Sequence, residues 1–384
     1  MTWKETDPVK ERLRFVELYL TGRYEMGTLC DLFEISRKTG YKCIERFREE
    51  GAAGLVDRSR AAHSHPNATA ESVAKRIIAA KHEHPRWGPE KLLDFLRRED
   101  AQTEWPAVST AGAILKREGL VKARRHRRRI APPSRPAIGP ITRPNQLQNL
   151  DYKGQFRTRD GQWCYPLTTT DTWSRKLLVC QGFPAPTYEN TRAALERSYR
   201  EHGIPDAVRM DNGSPFVSAQ SLGGLSRLGV WMLKLQIRLI RTRPGAPQDN
   251  GLHERMHRTL KEETALPPAA NLVAQQKRFD QFMAEYNEVR PHRALGGCSP
   301  EQWYEPSPRS YPKRLPEIEY PGHFETRAVR CDGTMKWKGE KFVIGLALAG
   351  ERVGLEETDY GIWSIHFGAL RIGILDEHDG EIVG

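Results

Sequence analysis

Paired cysteines are missing from this chain. Its six cysteines, at positions 30, 43, 164, 180, 298 and 331, make no C-x-x-C pair, and no secretory leader is recognised. A disulfide-stapled scaffold is thereby excluded, and the thiols are expected to be reduced, in a cytosolic protein. His63, His65, His82 and His84 are not followed by a paired C-x-x-C, so no structural zinc is expected. Long apolar runs are missing too. None approaches the roughly 18–20 residues of a membrane span, so no membrane partner is expected. Acidic residues are the scarcer charge, with 49 Asp and Glu against 60 Lys and Arg, a net +11. That excess favours a polyanionic partner, although by itself it fits many soluble proteins. A chain of 384 residues has room for two to four domains, at least one with a sizeable core.

What is present reads in order. Residues 1–60 form a candidate helix-turn-helix domain. Val9, Leu13, Val16 and Leu20 fit a helical stripe. Leu29, Leu32 and Phe33 face inward on the next helix, Ile35 and Ser36 supply a turn and a cap, and a further helix follows. Arg37 and Lys38 stand at its leading end, where such a motif meets DNA; a plain helical hairpin is the alternative. Residues 66–121 repeat the theme, with Pro89 opening one helix and Val108-Ser109-Thr110 another. Residues 122–144 are a basic, proline-rich linker without an acidic residue. Its Arg124, Arg125, Arg127, Arg128 and Arg129 suit an arm along phosphates, or a solvated spacer. Residues 321–384 are short β-type runs divided by Asp332-Gly333, Lys338-Gly339, Ala349-Gly350 and Tyr360-Gly361 turns. They read as a small β-barrel that caps the core or touches DNA or another subunit.

Between the linker and the tail, residues 145–305 carry the chemistry. Runs 146–152, 163–171 and 175–182 read as strands, 191–202 as a helix, and 206–210 and 237–241 as further strands. The stretch 243–261, RPGAPQDNGLHERMHRTLK, begins as a loop and becomes a helix with Leu252, Met256 and Leu260 as its apolar stripe. Glu254 lies off that stripe, with Arg258 and Lys261 one and two turns on. A surface pair of Glu254 with Arg258 is the plain reading. Asp151 and Asp211 alter it. Each follows short apolar residues and precedes a turn-like run, which puts it near a strand end where a rigid sheet can hold it. Two strand-borne aspartates and one helix-borne glutamate can make an all-oxygen site for two Mg²⁺ ions.

Asp151, the run Asp211-Asn212-Gly213-Ser214-Pro215-Phe216 and the run Pro247-Gln248-Asp249-Asn250-Gly251-Leu252-His253-Glu254-Arg255 resemble the Asp-Asp-Glu core of retroviral-type integrases, in particular the bacterial insertion-sequence transposases of that group. Further matches are Asp171-Thr172-Trp173-Ser174-Arg175-Lys176, His202-Gly203-Ile204-Pro205, Tyr286-Asn287 and Arg290-Pro291-His292-Arg293. The resemblance covers residues 145–303, under half the chain. The gap from Asp211 to Glu254 is longer than the family's usual one, and 221–231 is read as the inserted stretch.

The resemblance implies a multidomain fold: α-helical helix-turn-helix N-terminal domains, an α/β ribonuclease-H-like catalytic core and a small all-β SH3-like barrel. It implies a DNA transposase that binds terminal inverted repeats, cleaves at element ends and joins the 3′ ends to target DNA by two-metal-ion phosphoryl transfer. Asp151, Asp211 and Glu254 would be the catalytic acids and the ligands of two Mg²⁺ ions, with Mn²⁺ as a substitute. Arg243, Arg255, Arg258 and Lys261 would hold phosphates, and Asn212 and Asn250 would orient the acids or DNA. Asp171 is expected to be structural. His253 and His257 are left outside the ligand set, because neither has a metal-binding partner at a recognised spacing. The expected partners are double-stranded DNA and further copies of the chain, as a dimer or tetramer, at the nucleoid of a bacterial cytoplasm. Two rivals remain: a DNA-binding regulator with a relic, inactive core, and a nuclease of the same fold that cuts without joining.

Overall fold

The computed structural model describes residues 7–58, 68–121, 139–152, 154–242 and 251–383, without the Leu252 side chain. Arg124, Arg125, Arg127, Arg128, Arg129, Arg243 and Asn250 lie outside the described residues. The chain forms two compact units, Met1–Thr69 and Ala70–Gly384.

The first unit is a three-helix bundle of α1 (Pro8–Leu20), α2 (Met26–Leu32) and α3 (Arg37–Glu50). Each end has a local cause. Asp7 caps α1 by accepting the Val9 N–H at 2.9 Å, with Pro8 in the first turn. Ser36 caps α3 by accepting the Thr39 N–H at 3.2 Å. Phe15, Val16, Leu29, Cys30, Ile44 and Leu55 are the core. Gly40 lets α3 lie close to its neighbours: a Cβ there would sit 2.8 Å from Cys30 Sγ and 3.0 Å from Phe15 Cζ.

The second unit opens with another helical bundle, α4 (Glu71–Glu83), α5 (Pro89–Glu99) and α6 (Val108–Arg117), packed around Trp87, Leu92, Leu93 and Leu115. An α/β layer follows. Its strands are β1 (Gln148–Tyr152), β2 (Phe156–Arg157), β3 (Trp163–Asp171), β4 (Leu177–Phe183), β5 (Ala207–Met210) and β6 (Arg238–Arg241). Its helices are α7 (Tyr188–His202), α8 (Arg227–Lys234), α9 (Gly251–Thr264) and α10 (Leu272–Ala284). The sheet is mixed. β1, β3 and β4 pair antiparallel, while β5 pairs parallel with β1 and β6 parallel with β5. This is the ribonuclease-H-like arrangement expected from the sequence. Strand alternation divides the side chains between two faces. Leu150, Val208 and Met210 pack with Leu195, Tyr199 and Trp231 of α7 and α8. Cys164, Leu177 and Cys180 pack with Met256, Leu260, Phe279 and Phe282 of α9 and α10.

Residues 221–231, read from sequence as an insertion, hold a 3₁₀ turn and the start of α8. Ser226 caps that helix, accepting the Gly229 N–H at 3.1 Å. Gly229 is itself inside the helix, where a Cβ would lie 2.8 Å from Leu225 Cδ1. A glycine in so short a helix erases the local signal.

The tail is all-β. β7 (Glu325–Ala328), β8 (Thr334–Trp337), β9 (Glu340–Val343), β10 (Arg352–Asp359), β11 (Ile362–Phe367), β12 (Leu370–Asp376) and β13 (Glu381–Val383) make a five-stranded sheet in the order β13-β12-β11-β10-β7, and a β8-β9 hairpin. Neither sheet closes on itself among the described residues, so the barrel expected from sequence is seen as an all-β module only. The module is not free-standing. Trp337, Trp363 and Phe367 share one apolar cluster with Leu225 and Val230 beside and on α8, and Lys234 pairs with Glu351 at 2.8 Å.

Candidate functional site

Register decides which acids become neighbours. β1 pairs in parallel with β5 through Gln148↔Val208, Asn149↔Arg209 and Leu150↔Met210. Asp151 and Asp211 are the next residue on each strand, so both acids leave the sheet at the same edge, from strands about 4.8 Å apart. Leu150 faces the α7–α8 core, so Asp151 faces the opposite side, toward α9. Asp151 is half-buried, and Asp211 is exposed in the loop that follows β5. That loop is tied down locally. Asp211 Oδ1 accepts the Gly213 N–H at 3.1 Å, and the Asn212 amide donates to the Thr242 carbonyl at 2.9 Å.

The third acid is carried by α9. The first turns of this helix bury His253 and His257, one turn apart on the same face, and leave Glu254 exposed beside them. Across from the two imidazoles lie Thr168 and Thr170 of β3. Thr168 is the residue paired with Asp151, and Thr170 shares its face two residues on. Thr168 Oγ1 lies 2.8 Å from His253 Nε2 and 2.6 Å from His257 Nε2, and Thr170 Oγ1 lies 2.7 Å from His253 Nδ1. His257 Nδ1 lies 3.6 Å from Asp151 Oδ2. Among the described residues, Asp151, His253 and His257 form a group whose ligand-type atoms all lie within 4.8 Å of one another. Asp211 and Glu254 are not part of that tight group.

The tight group offers one carboxylate and two imidazole nitrogens, and the carboxylates of Asp211 and Glu254 lie outside it. Half-buried Asp151 and exposed Asp211 and Glu254 are oxygen donors of the kind that hard divalent ions prefer. The two imidazoles, by contrast, are already engaged by threonine hydroxyls. Sequence spacing did not reveal this pair. The signal that could have found it is the i, i+4 spacing of His253 and His257 set against the alternation of Thr168 and Thr170.

Asp171 ends β3 but does not join the site. It is buried and accepts the Asn145 N–H, the Ser174 N–H and the Ser174 hydroxyl, each at 2.7 Å. Burial raises its pKa, against the lowering effect of those bonds. Arg37 and Lys38 are exposed as the first two residues of α3. Arg255, Arg258 and Lys261 are exposed along α9.

Known families match this chain in consecutive pieces. A helix-turn-helix domain model matches residues 11–63 and a homeodomain-like model residues 39–115. Two integrase core domain models match 141–247 and 235–300, and the C-terminal domain of IS481 family transposases matches 324–382. The chain belongs to the insertion-sequence transposases of the integrase superfamily. The general function of this family is DNA transposition, and its helix-turn-helix domains imply DNA as a partner. Relatives of this transposase include an uncharacterized 39.2 kDa protein of insertion element IS476 from Xanthomonas euvesicatoria. It is 25% identical over 267 residues, which is 66% of this chain and 72% of that protein. The transposase InsF for insertion sequence IS3A of Escherichia coli K12 is 27% identical over 234 residues, 57% of this chain and 76% of that one. Among solved structures, the catalytic core of HTLV-2 integrase in complex with magnesium matches with a TM-score of 0.34 and 17% identity, covering 42% of this chain and 98% of that one. A chain of the simian T-cell lymphotropic virus intasome in complex with PP2A regulatory subunit B56 gamma matches with a TM-score of 0.38 and 16% identity, covering 78% of this chain and 98% of that one. No helix among the described residues is long and apolar enough to cross a membrane.

Proposed function

We propose that this protein binds the terminal inverted repeats of its element, cleaves at the element ends and joins the 3′ ends to target DNA. Asp151, Asp211 and Glu254 are the catalytic acids in this reading, and together they hold two Mg²⁺ ions, with Mn²⁺ able to substitute. The observation that carries it is the meeting of β1, β5 and α9: two acids leave adjacent parallel strands at one edge, and the first turns of α9 are hydrogen-bonded to β3 opposite Asp151.

Bound metal ions in such a site lower the pKa of an attacking water or 3′-hydroxyl and stabilise the leaving oxygen. The chain's own residues do the rest. Asp151 offers its carboxylate from a strand that cannot shift without breaking the sheet. Asp211 and Glu254 approach from a loop and a helix, with their side chains open to solvent. Arg243, Arg255, Arg258 and Lys261 grip phosphates near the acids. Asn212 holds the Asp211 loop against the end of β6, and in this reading Asn212 and Asn250 orient the acids or DNA. Arg37 and Lys38 meet DNA at the head of α3. Arg124, Arg125, Arg127, Arg128 and Arg129 lie along phosphates between the second helical bundle and the core.

The working division is 1–60 and 66–121 for the two helix-turn-helix domains, 122–144 for the linker, 145–305 for the core and 321–384 for an SH3-like module. Two element ends have to be held at once, which calls for a dimer or tetramer on DNA. The setting is the bacterial cytoplasm, at the nucleoid.

The deciding experiment is strand cleavage and joining on element-end DNA with Mg²⁺. Glu254→Gln is expected to lower both by on the order of 100-fold or more while DNA affinity holds. Wild-type cutting by Glu254→Gln removes Glu254 from the site. A wild-type protein that binds element ends yet neither cuts nor joins in Mg²⁺ or Mn²⁺ is a regulator with a relic core, and one that cuts without a joined product is a nuclease.

A further inference from the structure

The buried pair of histidines on α9 is not used by the reaction just described, and it costs free energy to bury two imidazoles. Their hydrogen-bond inventory assigns them a task. A threonine hydroxyl has one hydrogen and two lone pairs, and a neutral imidazole has one N–H and one bare nitrogen. Thr168 Oγ1 stands within 2.8 Å of His253 Nε2 and 2.6 Å of His257 Nε2. It has one hydrogen to give, so at least one of these imidazoles donates its N–H to it.

Thr168 Oγ1 also lies 3.3 Å from the Asp151 carbonyl, much longer than its 2.6 Å approach to His257 Nε2, so its hydrogen is assigned to His257. With that choice, one neutral assignment satisfies all of these short threonine–imidazole bonds. Thr170 donates its hydroxyl hydrogen to His253 Nδ1 at 2.7 Å. His253 Nε2–H donates to Thr168, and Thr168 donates to His257 Nε2. The His257 proton then resides on Nδ1, the nitrogen that faces Asp151 Oδ2 at 3.6 Å. This places an N–H dipole toward a carboxylate, the favourable sign; the other tautomer turns a lone pair on it. These hydrogen positions are assigned from the network. The 3.6 Å separation exceeds hydrogen-bond length, so the attraction is electrostatic at this distance.

We propose that Thr170, His253, Thr168 and His257 form a directional hydrogen-bond relay that ends at Asp151, and that Thr168 and His257 are positioning residues for the metal-binding acids. The relay joins β3, the strand paired with the one that carries the first acid, to the helix that carries the third. Asp151 and Glu254 are thereby presented as one preassembled pair, and the exposed Asp211 completes the site. The inference rests on Asp151 and Glu254 holding metal, as proposed above. Its logic is that of outer partners that orient metal ligands, whose loss typically weakens metal affinity about 10–100-fold.

The test uses the full-length protein with Mn²⁺ alone, followed by electron paramagnetic resonance of the free and bound ion, and with element-end DNA for kcat and KM. Asp151→Asn is expected to lose the tightest Mn²⁺ binding. Wild-type Mn²⁺ binding by Asp151→Asn overturns the metal reading, and this inference with it. Thr168→Val keeps the shape and deletes the hydroxyl. It is expected to weaken Mn²⁺ binding about 10–100-fold and to lower kcat by a similar factor, with KM for DNA within about threefold. Thr168→Ser restores the hydroxyl and is expected to bring both back to near wild type. His257→Gln keeps an amide within reach of Thr168 and withdraws the group that faces Asp151. It is expected to weaken Mn²⁺ binding about tenfold at an unchanged melting temperature, which keeps the test decisive if Thr168→Val does not fold. Folded Thr168→Val or His257→Gln protein with wild-type Mn²⁺ affinity overturns the relay while the metal reading stands. A directly coordinated ¹⁴N signal on the bound Mn²⁺ also overturns it, because His257 is then a ligand.

Discussion

At Asp171, three hydrogen bonds converge on one buried carboxylate, and the donors include the backbone N–H groups of Asn145 and Ser174. Removing the acceptor strands those donors, and each buried unsatisfied group costs about 1–3 kcal/mol. Asp171→Ala is therefore expected to lower the unfolding free energy by about 3 kcal/mol in urea, with metal binding retained by whatever protein folds. His292 is a second residue with a single-site consequence. It is half-buried, and its shielded Nε2 has no hydrogen-bond partner among the described residues. Burial first, and then the charges of Lys91 and Arg290, push its pKa from 6.5 down to about 3. Between those values the unfolded chain takes up a proton that the folded chain refuses. His292 thus contributes stability that is fully present above pH 6.5 and is lost as pH falls through the window. The slope is about 1.4 kcal/mol per pH unit. Urea unfolding at pH 7 and pH 5 is expected to show a shallower loss in His292→Leu than in wild type; equal losses refute the assignment.

At the scale of single elements, α3 shows how a recognition helix is both built and presented. Ser36 caps its N-terminus, Gly40 lets it approach Cys30 and Phe15, and Arg37 and Lys38 face solvent at its head. Ser36→Ala is expected to cost about 1 kcal/mol of stability in the first unit. Gly40→Ala is expected to cost about 1–3 kcal/mol, because the new methyl meets packed side chains. Both are read from thermal unfolding of the first unit. If Arg37 and Lys38 sit on phosphates, replacing both with Gln is expected to reduce the slope of log affinity against log salt by about 0.9 for each phosphate left without its cation. An unchanged slope assigns them to base edges or takes them off the DNA. β1 and β3 were legible because short runs rich in apolar and β-branched residues are bounded by turn residues such as Asp160-Gly161, whereas the two residues of β2 are too few to carry a pattern. α8 was not, since a buried glycine inside eight residues leaves no period to see.

At the scale of the whole molecule, the second helical bundle is joined to the α/β layer by a charged seam. Arg86 pairs with Glu262 at 3.1 Å, and the Arg98 guanidinium donates to the Val289 carbonyl at 2.6 Å. Glu263 pairs with Arg290 at 3.1 Å, with side chains only 18% and 8% exposed. Lys91 lies beside this pair, and burial, together with the Arg290 charge, pushes its pKa down to about 8. Exposure ranks these pairs. Arg86 and Glu262 are 42% and 47% exposed, so breaking that pair is expected to cost under about 1 kcal/mol. Glu263→Gln leaves the buried Arg290 and the half-buried Lys91 without this counter-charge, and is expected to cost about 3 kcal/mol or more. Faster hydrogen exchange in α5 and in the last turn of α9 checks this; unchanged exchange in both refutes it.

The sequence by itself determined the local units: the capped helices at the start, the strands that carry Asp151 and Asp171, the apolar stripe of α9 and the β-rich tail. Periodicity and turn chemistry act over a few residues, so they can be read from a few residues. Only the tertiary structure decided that Asp151 leaves the sheet beside Asp211, that Thr168 and Thr170 meet His253 and His257, that the second bundle rests on the end of α9, and that the tail shares a core with α8. Those pairings join residues far apart along the chain. They are chosen by strand register and by the burial of whole faces, which no short window of residues contains.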